Sequence, residues 1–567
     1  MRVQDYAFVP KYLREFEVEV PEKFNWGFDV VDRWGREKGQ APALVFVNED
    51  GKADTLSFRA VAEKSSQICN YLGKHGIERG DPVLVMLSNV PELWLSVAAL
   101  IKAGAIVVPS APTLTPNDLE YRLPAAGIRG VITDPAGVKK FGELGSGRVS
   151  RMKFAACTMT EGSGAPPQGW LDLSEAYSEA RSAPKFPTRA SDPALFYFTS
   201  GTEGHPKVVV HTHASYPLGH RETALWLGIE PGGLHWNISS PGWAKHAWSS
   251  IFAPWSQGAP TLTVAYRGGF DAAKHLQKIS ELGVRSMCAP PTIWRMFSLE
   301  DLGGYDLSSL KSACSAGEPL SPEVIEKFRE ATGLTIRDGY GQTETVLIVG
   351  NFPGVEIRQG SMGVPGPLYD VEVVDEDGKI LGPGKEGFVG IRLDPRPFAL
   401  FKEYSGAPEK TDEVFHNGWY YTGDKASKDS DGYFWFIGRA DDVIKSSGYR
   451  IGPFEVEAAL VKHPSVVEAA VVPAPDPVRG AVVKAYVVLR RGYAPSQALA
   501  DELAAFVAKE TGPYKHPRRI EFVETLEPVK TTSGKIRRKN LRLFEYGKGD
   551  RLVEGKEFKV TPLRSAA

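Results

Sequence analysis

Short apolar runs alternate with helix-forming stretches along the first part of the chain. The candidate strands are Ala43–Val47, Val83–Leu87, Ala105–Val108 and Gly130–Thr133. Consecutive candidate strands are separated in sequence by about the length of one helix. Ser57 can cap one of the intervening helices, and Thr115 followed by Pro116 can begin another. Parallel strands need such crossovers, so the alternation predicts a layered α/β architecture.

The pattern changes near Gly438. The later part offers a compact α+β unit of about domain size. Its candidate helices and strands are Glu455–Lys462, Val466–Val472, Val482–Leu489, Gln497–Glu510 and Arg519–Val523. We therefore predict a large, multi-subdomain α/β domain over residues 1–440 and a smaller α+β domain over residues 441–567.

Charge separates the two predicted domains. The chain has 567 residues and a formal net charge of −2, which argues against a general nucleic-acid binder. Residues 441–567 carry 22 Lys+Arg and 16 Asp+Glu, whereas the first 440 carry 45 and 53. The excess of basic residues in 441–567 is either ordinary surface variation or marks a surface that binds a polyanion.

Several features favour a cytoplasmic protein. The most apolar stretch, Leu93–Val108, is interrupted by Ser96, Lys102 and Gly104, so no membrane span is expected. The N-terminal residues resemble neither a signal nor a transit peptide. The four cysteines are far apart, which fits buried thiols in a reducing compartment.

The strongest local signal is a loop between two strand-like runs, Ala194–Phe198 and Val208–Val210. Its polar and small residues are Thr199, Ser200, Gly201, Thr202, Glu203, Gly204 and Lys207. Glycines allow close backbone approach, hydroxyls donate hydrogen bonds and a lysine adds charge, so the loop can wrap phosphates. The spacing is not that of a Walker A loop, and a plain Gly-rich hairpin is the alternative.

This loop resembles the signature loop of the acyl-adenylate-forming superfamily, which includes acyl-CoA synthetases, peptide-synthetase adenylation domains and firefly luciferase. Five further motifs follow in the family's order. They are Ser315–Pro319, Asp338–Glu344, Tyr421–Asp424, Gly438–Lys445 and Thr531–Arg538. The first 190 residues hold no diagnostic motif and are assigned by continuity.

The resemblance implies an ATP site. Tyr340 would stack on adenine and Asp338 would accept from its amino group. The remaining residues of the adenine-side motifs are Gly317, Glu318, Pro319, Gly339, Gly341 and Gln342. Asp424 would accept from both ribose hydroxyls and Arg439 would donate to the ribose or phosphates. Taken singly, such residues are more often core aromatics, turn formers or surface charges.

The resemblance also implies a magnesium ion and a two-step reaction. Thr343 would face the α-phosphate and the carboxylate, and Glu344 with Thr202 would hold Mg²⁺, a hard cation that prefers oxygen. Glu203 departs from the Thr or Ser of many relatives, and it either points outward or helps hold the metal. A carboxylate would attack the α-phosphate of ATP, and a thiol would then displace AMP from the acyl-adenylate.

Lys535 matches the family's catalytic lysine, which would lie between the two anions that meet in the first step; otherwise it is one more residue of a basic tail. Asp441 matches the hinge about which the family's mobile C-terminal domain turns between the two half-reactions; otherwise it is a turn residue. The second predicted domain would therefore be mobile.

Coenzyme A is the acceptor that the resemblance favours. Ser447, Gly448, Tyr449 and Arg450 resemble the CoA-site motif of acyl-CoA synthetases. Arg479 and the run Tyr514, Lys515 and His516 resemble the medium-chain branch. Gly448 would let pantetheine pass, and Arg450, Arg479 and Lys515 would meet the phosphates of CoA. Another acceptor is the alternative, as is a non-catalytic nucleotide-binding relative.

The acid is predicted from one position. Acetate-specific relatives have a Trp where this chain has Gly341, so acids larger than acetate should fit. Trp243 and His246 lie in the segment that lines the acyl pocket in relatives; a structural role is the alternative for His246. Medium-chain or branched fatty acids are predicted first and aromatic acids second. The oligomeric state stays open, a homodimer included.

Overall fold

The computed structural model describes residues 6, 8–145, 147–159, 165–185, 187–199, 206–265, 270–318, 320–440, 442–446, 449–477, 479–512, 515–531 and 535–561. The chain forms two compact units. The first comprises Met1–Asp370 and Arg392–Phe415, and the second comprises Val371–Ile391 and His416–Ala567. The predicted division at residue 440 stays a prediction, because compactness in one conformation does not define which segments move together.

The first unit contains an eight-stranded sheet. Its strands, in spatial order, are Glu403–Tyr404, Lys207–Thr212, Pro193–Thr199, Ile106–Pro109, Pro82–Met86, Gly130–Thr133, Phe154–Cys157 and Leu171–Asp172. The strands from Pro193–Thr199 onward run parallel. The first two are antiparallel additions at one edge.

A nine-stranded sheet completes the first unit. Its spatial order is Val364–Pro365, Leu347–Gly350, Arg337–Gly341, Ser312–Ala316, Ser286–Ala289, His235–Asn237, Thr261–Val264, Pro42–Val47 and Ala53–Ser57. The six central strands are parallel. The strand Pro42–Val47 pairs with Thr261–Val264 and with its successor Ala53–Ser57, so it does not join the eight-stranded sheet that contains Pro82–Met86 and Ile106–Pro109.

Helices connect these strands. The α-helices of the first unit are Lys11–Arg14, Arg33–Glu37, Phe58–Lys74, Pro91–Lys102, Pro116–Ala125, Pro135–Glu143, His220–Leu227, Ala244–Ala247, Ala253–Ser256, Ala272–Leu282, Pro291–Ser298, Pro322–Thr332 and Pro408–Asp412. Ser57 caps its helix by accepting from the Ala60 amide, as predicted. Thr115 and Asp118 form a reciprocal capping box.

The second unit combines three sheets with α-helices at Pro453–Lys462, Gln497–Thr511 and Arg538–Glu545. Its four-stranded sheet consists of Val466–Asp476, Gly480–Leu489, Arg519–Val523 and Gly555–Lys559. A five-stranded sheet consists of Val371–Val374, Glu386–Arg392, Trp419–Lys428 and Phe415–His416, with Phe434–Arg439 paired to the third of these. Ile444–Ser446 and Tyr449–Ile451 form a two-stranded ribbon.

The two units confirm the predicted fold class, a large α/β part and a smaller α+β part. In the first, buried residues such as Leu84, Val131 and Phe141 pack between sheet and helices. In the second, the four-stranded sheet packs against two helices through residues such as Val471 and Leu503. Among the described residues, no helix is both long and apolar enough to cross a membrane.

Candidate active site

The loop predicted to bind phosphates joins two antiparallel strands, Pro193–Thr199 and Lys207–Thr212. Thr199 and Lys207 are register partners at the end of the ladder. The Lys207 ammonium lies 4.3 Å from the centre of the Tyr404 ring. Ser200, Gly201, Thr202, Glu203 and Gly204 lie outside the described residues, so their predicted roles stay predictions.

Glu344 is buried in a tight turn that follows the strand Arg337–Gly341. The Gln342 amide donates to the Thr345 hydroxyl at 2.9 Å, which closes the turn around Thr343 and Glu344. The Tyr404 hydroxyl donates to Glu344 Oε1 at 2.8 Å, and the Phe401 amide donates to the Glu344 carbonyl at 2.9 Å. Tyr404 thus contacts both the cation of the hairpin and the acid of the turn.

His211 fixes the same turn from the hairpin side. Its Nε2 lies 2.7 Å from the Thr343 carbonyl oxygen, and its Nδ1 lies 3.0 Å from the Ser215 hydroxyl. Burial lowers the pKa of His211 to about 4, so the ring is neutral, donates from Nε2 and accepts at Nδ1. Sequence reasoning missed both His211 and Tyr404, because no local pattern distinguishes them from other strand residues.

The strand Arg337–Gly341 carries the predicted adenine-side residues. Burial raises the pKa of the Asp338 carboxyl to about 7, and the Gly339 amide donates to it at 3.1 Å. A Cβ on Gly339 would lie 2.4 Å from the ring of Trp226, which explains the glycine. Tyr340 is half-buried.

The neighbouring strand Ser312–Ala316 is followed by Gly317, whose φ of +110° favours glycine. Lys245 donates to the Ala316 carbonyl at 2.9 Å, so a half-buried ammonium lies beside this strand end. Glu318 follows directly, and Pro319 lies outside the described residues.

The predicted acyl-pocket residues have different surroundings. Trp243 packs against a buried cluster that includes Leu84 and Ala111. His246 is buried, with Nε2 3.2 Å from Asn89 Oδ1 and its ring edge-on to Trp94, and burial lowers its pKa to about 3.

Gly341 has little room for a side chain. A Cβ at this position would lie 2.6 Å from the carbonyl oxygen of Val346. A tryptophan there would therefore require the backbone to shift. The proposed contribution of Gly341 to pocket size stays a prediction.

In the second unit, Asp424 and Arg439 face one another across two antiparallel strands. Asp424 is buried, and its Oδ1 lies 3.4 Å from Arg439 Nη1. Gly423, with φ of +75°, lies within the strand Trp419–Lys428 directly before Asp424, and its carbonyl accepts from the Ala440 amide. The pair therefore presents a carboxylate next to a guanidinium, a combination that suits a hydroxyl-bearing, anionic ligand.

Lys535 is exposed at one end of the predicted catalytic loop, whose other end is Thr531. Its amide donates to the Thr531 hydroxyl at 3.0 Å, and the Thr531 amide donates to the Lys535 carbonyl at 2.7 Å. Three residues later Arg538 makes a bidentate ion pair with Glu457, with bonds of 3.0 and 2.5 Å. Glu457 also accepts from the Val471 amide at 2.7 Å, so the loop is anchored to a helix and a strand.

The predicted CoA residues lie in the second unit. The Arg479 amide donates to Asp476, and burial, with a smaller contribution from nearby Arg479, lowers the pKa of Arg518. Lys515 pairs with Glu455 at 2.5 Å, and His516 is buried. Asp441, Ser447, Gly448 and Tyr514 lie outside the described residues, as do the side chains of Tyr449 and Arg450.

Glu344 is a suitable magnesium ligand. Its carboxylate receives a hydrogen bond from a neutral phenol, and carboxylate oxygens have lone pairs for a cation as well. Another acidic group, Glu521, Glu545 and Glu557, is unsuitable because Lys484 already bonds to all three.

This fold and this motif order define a class, the AMP-binding enzymes. The model of the AMP-binding enzyme family matches residues 31–404, and that of the AMP-binding enzyme C-terminal domain matches residues 455–535. The chain belongs to this family.

Similar proteins include acyl-CoA synthetases. The chain is 44% identical over 530 residues to 4-hydroxybutyrate–CoA ligase 1 of Metallosphaera sedula, covering 93% of this chain and 91% of that protein. It is 42% identical over 554 residues to the human mitochondrial acyl-coenzyme A synthetase ACSM3, covering 96% and 93%. A solved anthranilate CoA ligase in complex with anthranoyl-AMP has a TM-score of 0.82 at 29% identity, covering 93% and 98%.

Proposed function

We propose that the protein is an AMP-forming acyl-CoA synthetase. It activates a carboxylic acid with ATP, giving an acyl-adenylate and pyrophosphate, and then transfers the acyl group to coenzyme A with release of AMP. The observation that carries this proposal is the contact between the loop hairpin and the Thr343–Glu344 turn. There Tyr404 and His211 hold an acid and a polar turn beside a lysine of the hairpin.

In the first half-reaction the first unit's residues bind and orient ATP. Asp338 accepts from the adenine amino group, Tyr340 stacks on the ring, and Lys207 meets the phosphates. Thr343 faces the α-phosphate and the acyl carboxylate. His211 supports this role because it fixes the Thr343 carbonyl and thereby the orientation of the turn.

Glu344, together with Thr202 of the loop, would hold a magnesium ion, which would supply positive charge to the triphosphate. Glu344 itself keeps its orientation through the Tyr404 hydroxyl. Because the pair is buried, the carboxylate is already desolvated and needs little rearrangement to accept a cation.

The second unit supplies ribose and charge contacts. Asp424 accepts from the ribose hydroxyls, and Arg439 donates to the ribose or a phosphate. Lys535 lies between the attacking carboxylate and the α-phosphate during adenylation and offsets their repulsion. Its exposure and the anchored loop beside it suit a residue that must enter and leave a site.

Coenzyme A is the proposed acceptor. Arg479 is exposed in the second unit and lies near enough to Arg518 to interact with it electrostatically, and two neighbouring guanidinium groups suit the phosphates of CoA. Lys515 would need to share its charge between Glu455 and CoA. The relatives named as CoA ligases support this acceptor, and a different acceptor or nucleotide binding without turnover are outcomes of the test.

The acid is proposed to be larger than acetate. Trp243 offers an aromatic face beside an apolar cluster, which fits an alkyl or aromatic group. His246 is already bonded to Asn89 and packed on Trp94, which favours a structural part for it. We propose medium-chain or branched fatty acids first and aromatic acids second.

The test measures AMP and pyrophosphate release with ATP, Mg²⁺ and an acid panel from acetate to decanoate plus benzoate, with and without CoA. CoA-dependent AMP release with one optimum in the panel is the expected result. Pyrophosphate release without stimulation by CoA would indicate another acceptor. ATP binding without release of either product would indicate a non-catalytic relative.

We propose that the protein acts in the cytoplasm. All four cysteines are buried and free, which suits a reducing environment. The ACSM3 relatives are named as mitochondrial, so fractionation of cells that express the full chain is the deciding measurement.

A further inference from the structure

A cavity of about 280 Å³ lies against the strand that carries the adenine-side motif. Its apolar wall includes Leu225, Ile229 and Pro353, and Tyr12 lies beside it. Arg337 and Lys311 supply positive charge to its lining. Arg337 directly precedes Asp338, and because side chains alternate along a strand, the two point to opposite faces of the sheet. The cavity is therefore separate from the proposed adenine site.

Arg337 is a buried cation with incomplete bonding. Only 8% of the residue is exposed. One guanidinium nitrogen, Nη2, donates to the Trp226 carbonyl and the Ser312 hydroxyl at 2.7 Å each and approaches the Cys314 sulfur at 3.4 Å. Its Nε is buried and has no hydrogen-bond partner among the described residues.

These bonded acceptors are all neutral, and within the described part of the chain Arg337 forms no ion pair. Glu230 is an acid in the cavity lining, and it is exposed and pairs with Arg285 at 3.4 Å. A buried guanidinium without a carboxylate is costly, so the missing partner points to an anionic ligand.

We infer that this cavity binds a small monocarboxylate, whose carboxylate pairs with Arg337 and whose apolar part packs against Leu225, Ile229 and Pro353. Guanidinium groups match carboxylates through paired donors, which suits the unused nitrogens of Arg337. The volume is near the lower end for small-molecule sites, roughly 300 Å³, so the ligand is small. Inorganic phosphate shares the charge but gains nothing from the apolar wall.

The experiment separates this site from the proposed acyl site. Isothermal titration with hexanoate is carried out on the full-length protein saturated with a non-hydrolysable acyl-sulfamoyl adenosine, whose own binding is measured first. We expect one further equivalent of hexanoate to bind. If the analogue itself does not bind, the proposed function fails, and the cavity variants below still locate the hexanoate site.

Three variants test the electrostatics. Arg337→Gln should weaken hexanoate binding by roughly tenfold or more, because a charge-assisted pair is lost. Lys311→Gln should weaken it and Glu230→Gln should tighten it, and both residues are exposed, so these variants decide the matter if Arg337→Gln fails to fold. Arg329→Gln, an exposed arginine paired with Glu326, is the matched control and should change nothing.

Two results would overturn the proposal. One is the absence of hexanoate binding to the protein saturated with the analogue. The other is residual binding that Arg337→Gln, Lys311→Gln and Glu230→Gln leave unaltered. Phosphate that binds the cavity more tightly than hexanoate would also reject a monocarboxylate site.

Discussion

Single charged residues govern the proposed chemistry, and their surroundings show how. Lys535 is exposed, whereas Asp338, Glu344 and Asp424 lie in shielded positions. An exposed lysine keeps its charge without cost, and a shielded carboxylate is already desolvated when its ligand arrives. The exposed lysine therefore suits a residue that enters and leaves the site, and the shielded carboxylates suit fixed ligand-binding positions.

Lys535→Ala should lower pyrophosphate release by on the order of 10²–10³, because an electrostatic stabiliser of the first half-reaction is lost. Conversion of supplied acyl-adenylate to thioester should continue. Lys539→Ala, in the same basic segment, is the control and should retain both activities. Pyrophosphate release at the wild-type rate in Lys535→Ala would contradict the assignment.

The affinity for ATP should fall as the pH is lowered through about 7. Burial raises the pKa of Asp338 to about 7, so below that pH the carboxyl becomes protonated and loses the negative charge that strengthens the hydrogen bond from the adenine amino group. KM for ATP measured from pH 6 to pH 8.5 checks this. In Asp338→Asn the ATP affinity should be weaker, and the part of its pH dependence due to this carboxyl should disappear. An identical profile in both proteins would assign the titration elsewhere.

Elements position these residues through contacts between distant parts of the chain. The two-residue strand Glu403–Tyr404 pairs with Val209 and Val210 at the edge of the eight-stranded sheet. This pairing brings Tyr404 to Glu344 and Lys207. In the second unit, the helix Pro453–Lys462 anchors the loop of Lys535 through Glu457.

Glu457→Gln should destabilise the second unit by about 3–5 kcal/mol, since it removes the carboxylate from a bidentate pair with Arg538 in which both side chains are only 10% exposed. Adenylation should fall as well, because the base of the Lys535 loop loses its anchor. Thermal unfolding and pyrophosphate release measure the two effects. Glu468→Gln removes a more exposed pair with Lys530 and should cost less than about 1 kcal/mol. Equal losses in the two variants would reject the anchoring role.

Local elements were largely predictable. The strand Gly130–Thr133 agrees with its predicted bounds, and the helix capped by Ser57 begins where expected. These depend on residues adjacent in sequence, where capping and apolar periodicity act directly. Tyr404 and His211 could not be predicted, because their importance arises from partners 60 and 132 residues away.

Over the molecule as a whole, the proposed reaction would use different residues of the second unit in its two half-reactions. Residues 441–567 contain more basic than acidic residues, and Arg479, Arg518 and Lys535 are among the basic ones. A motion about residue 441 would let these groups act in turn, which is the mechanism that the family resemblance implies.

Arg479→Ala should raise KM for CoA by roughly fivefold to tenfold and leave KM for ATP unchanged, because one phosphate contact is lost. The effect should shrink at high salt as the charges are screened. Arg491→Ala, another exposed arginine of the second unit, should leave both constants unaltered. A change in KM for ATP alone would remove Arg479 from the CoA site.

Asp441→Pro should spare adenylation and suppress thioester formation, because proline fixes φ near −65° and restricts the rotation expected of a hinge. Single-turnover pyrophosphate release and transfer from supplied acyl-adenylate to CoA measure the two steps. Asp441→Ala retains backbone freedom and should keep both. Equal loss of the two half-reactions in Asp441→Pro would argue against a hinge.

The α/β character, the helix that begins after Ser57 and the family could be read from the amino-acid sequence alone, because each is encoded in short contiguous stretches of residues. The pairing of Pro42–Val47 with Thr261–Val264 became known from the three-dimensional structure. The structure also showed that Tyr404 bonds Glu344 and that Arg337 is buried without an acid among the described residues. Such contacts join residues far apart in the chain, so their energies depend on packing and burial that no local pattern records.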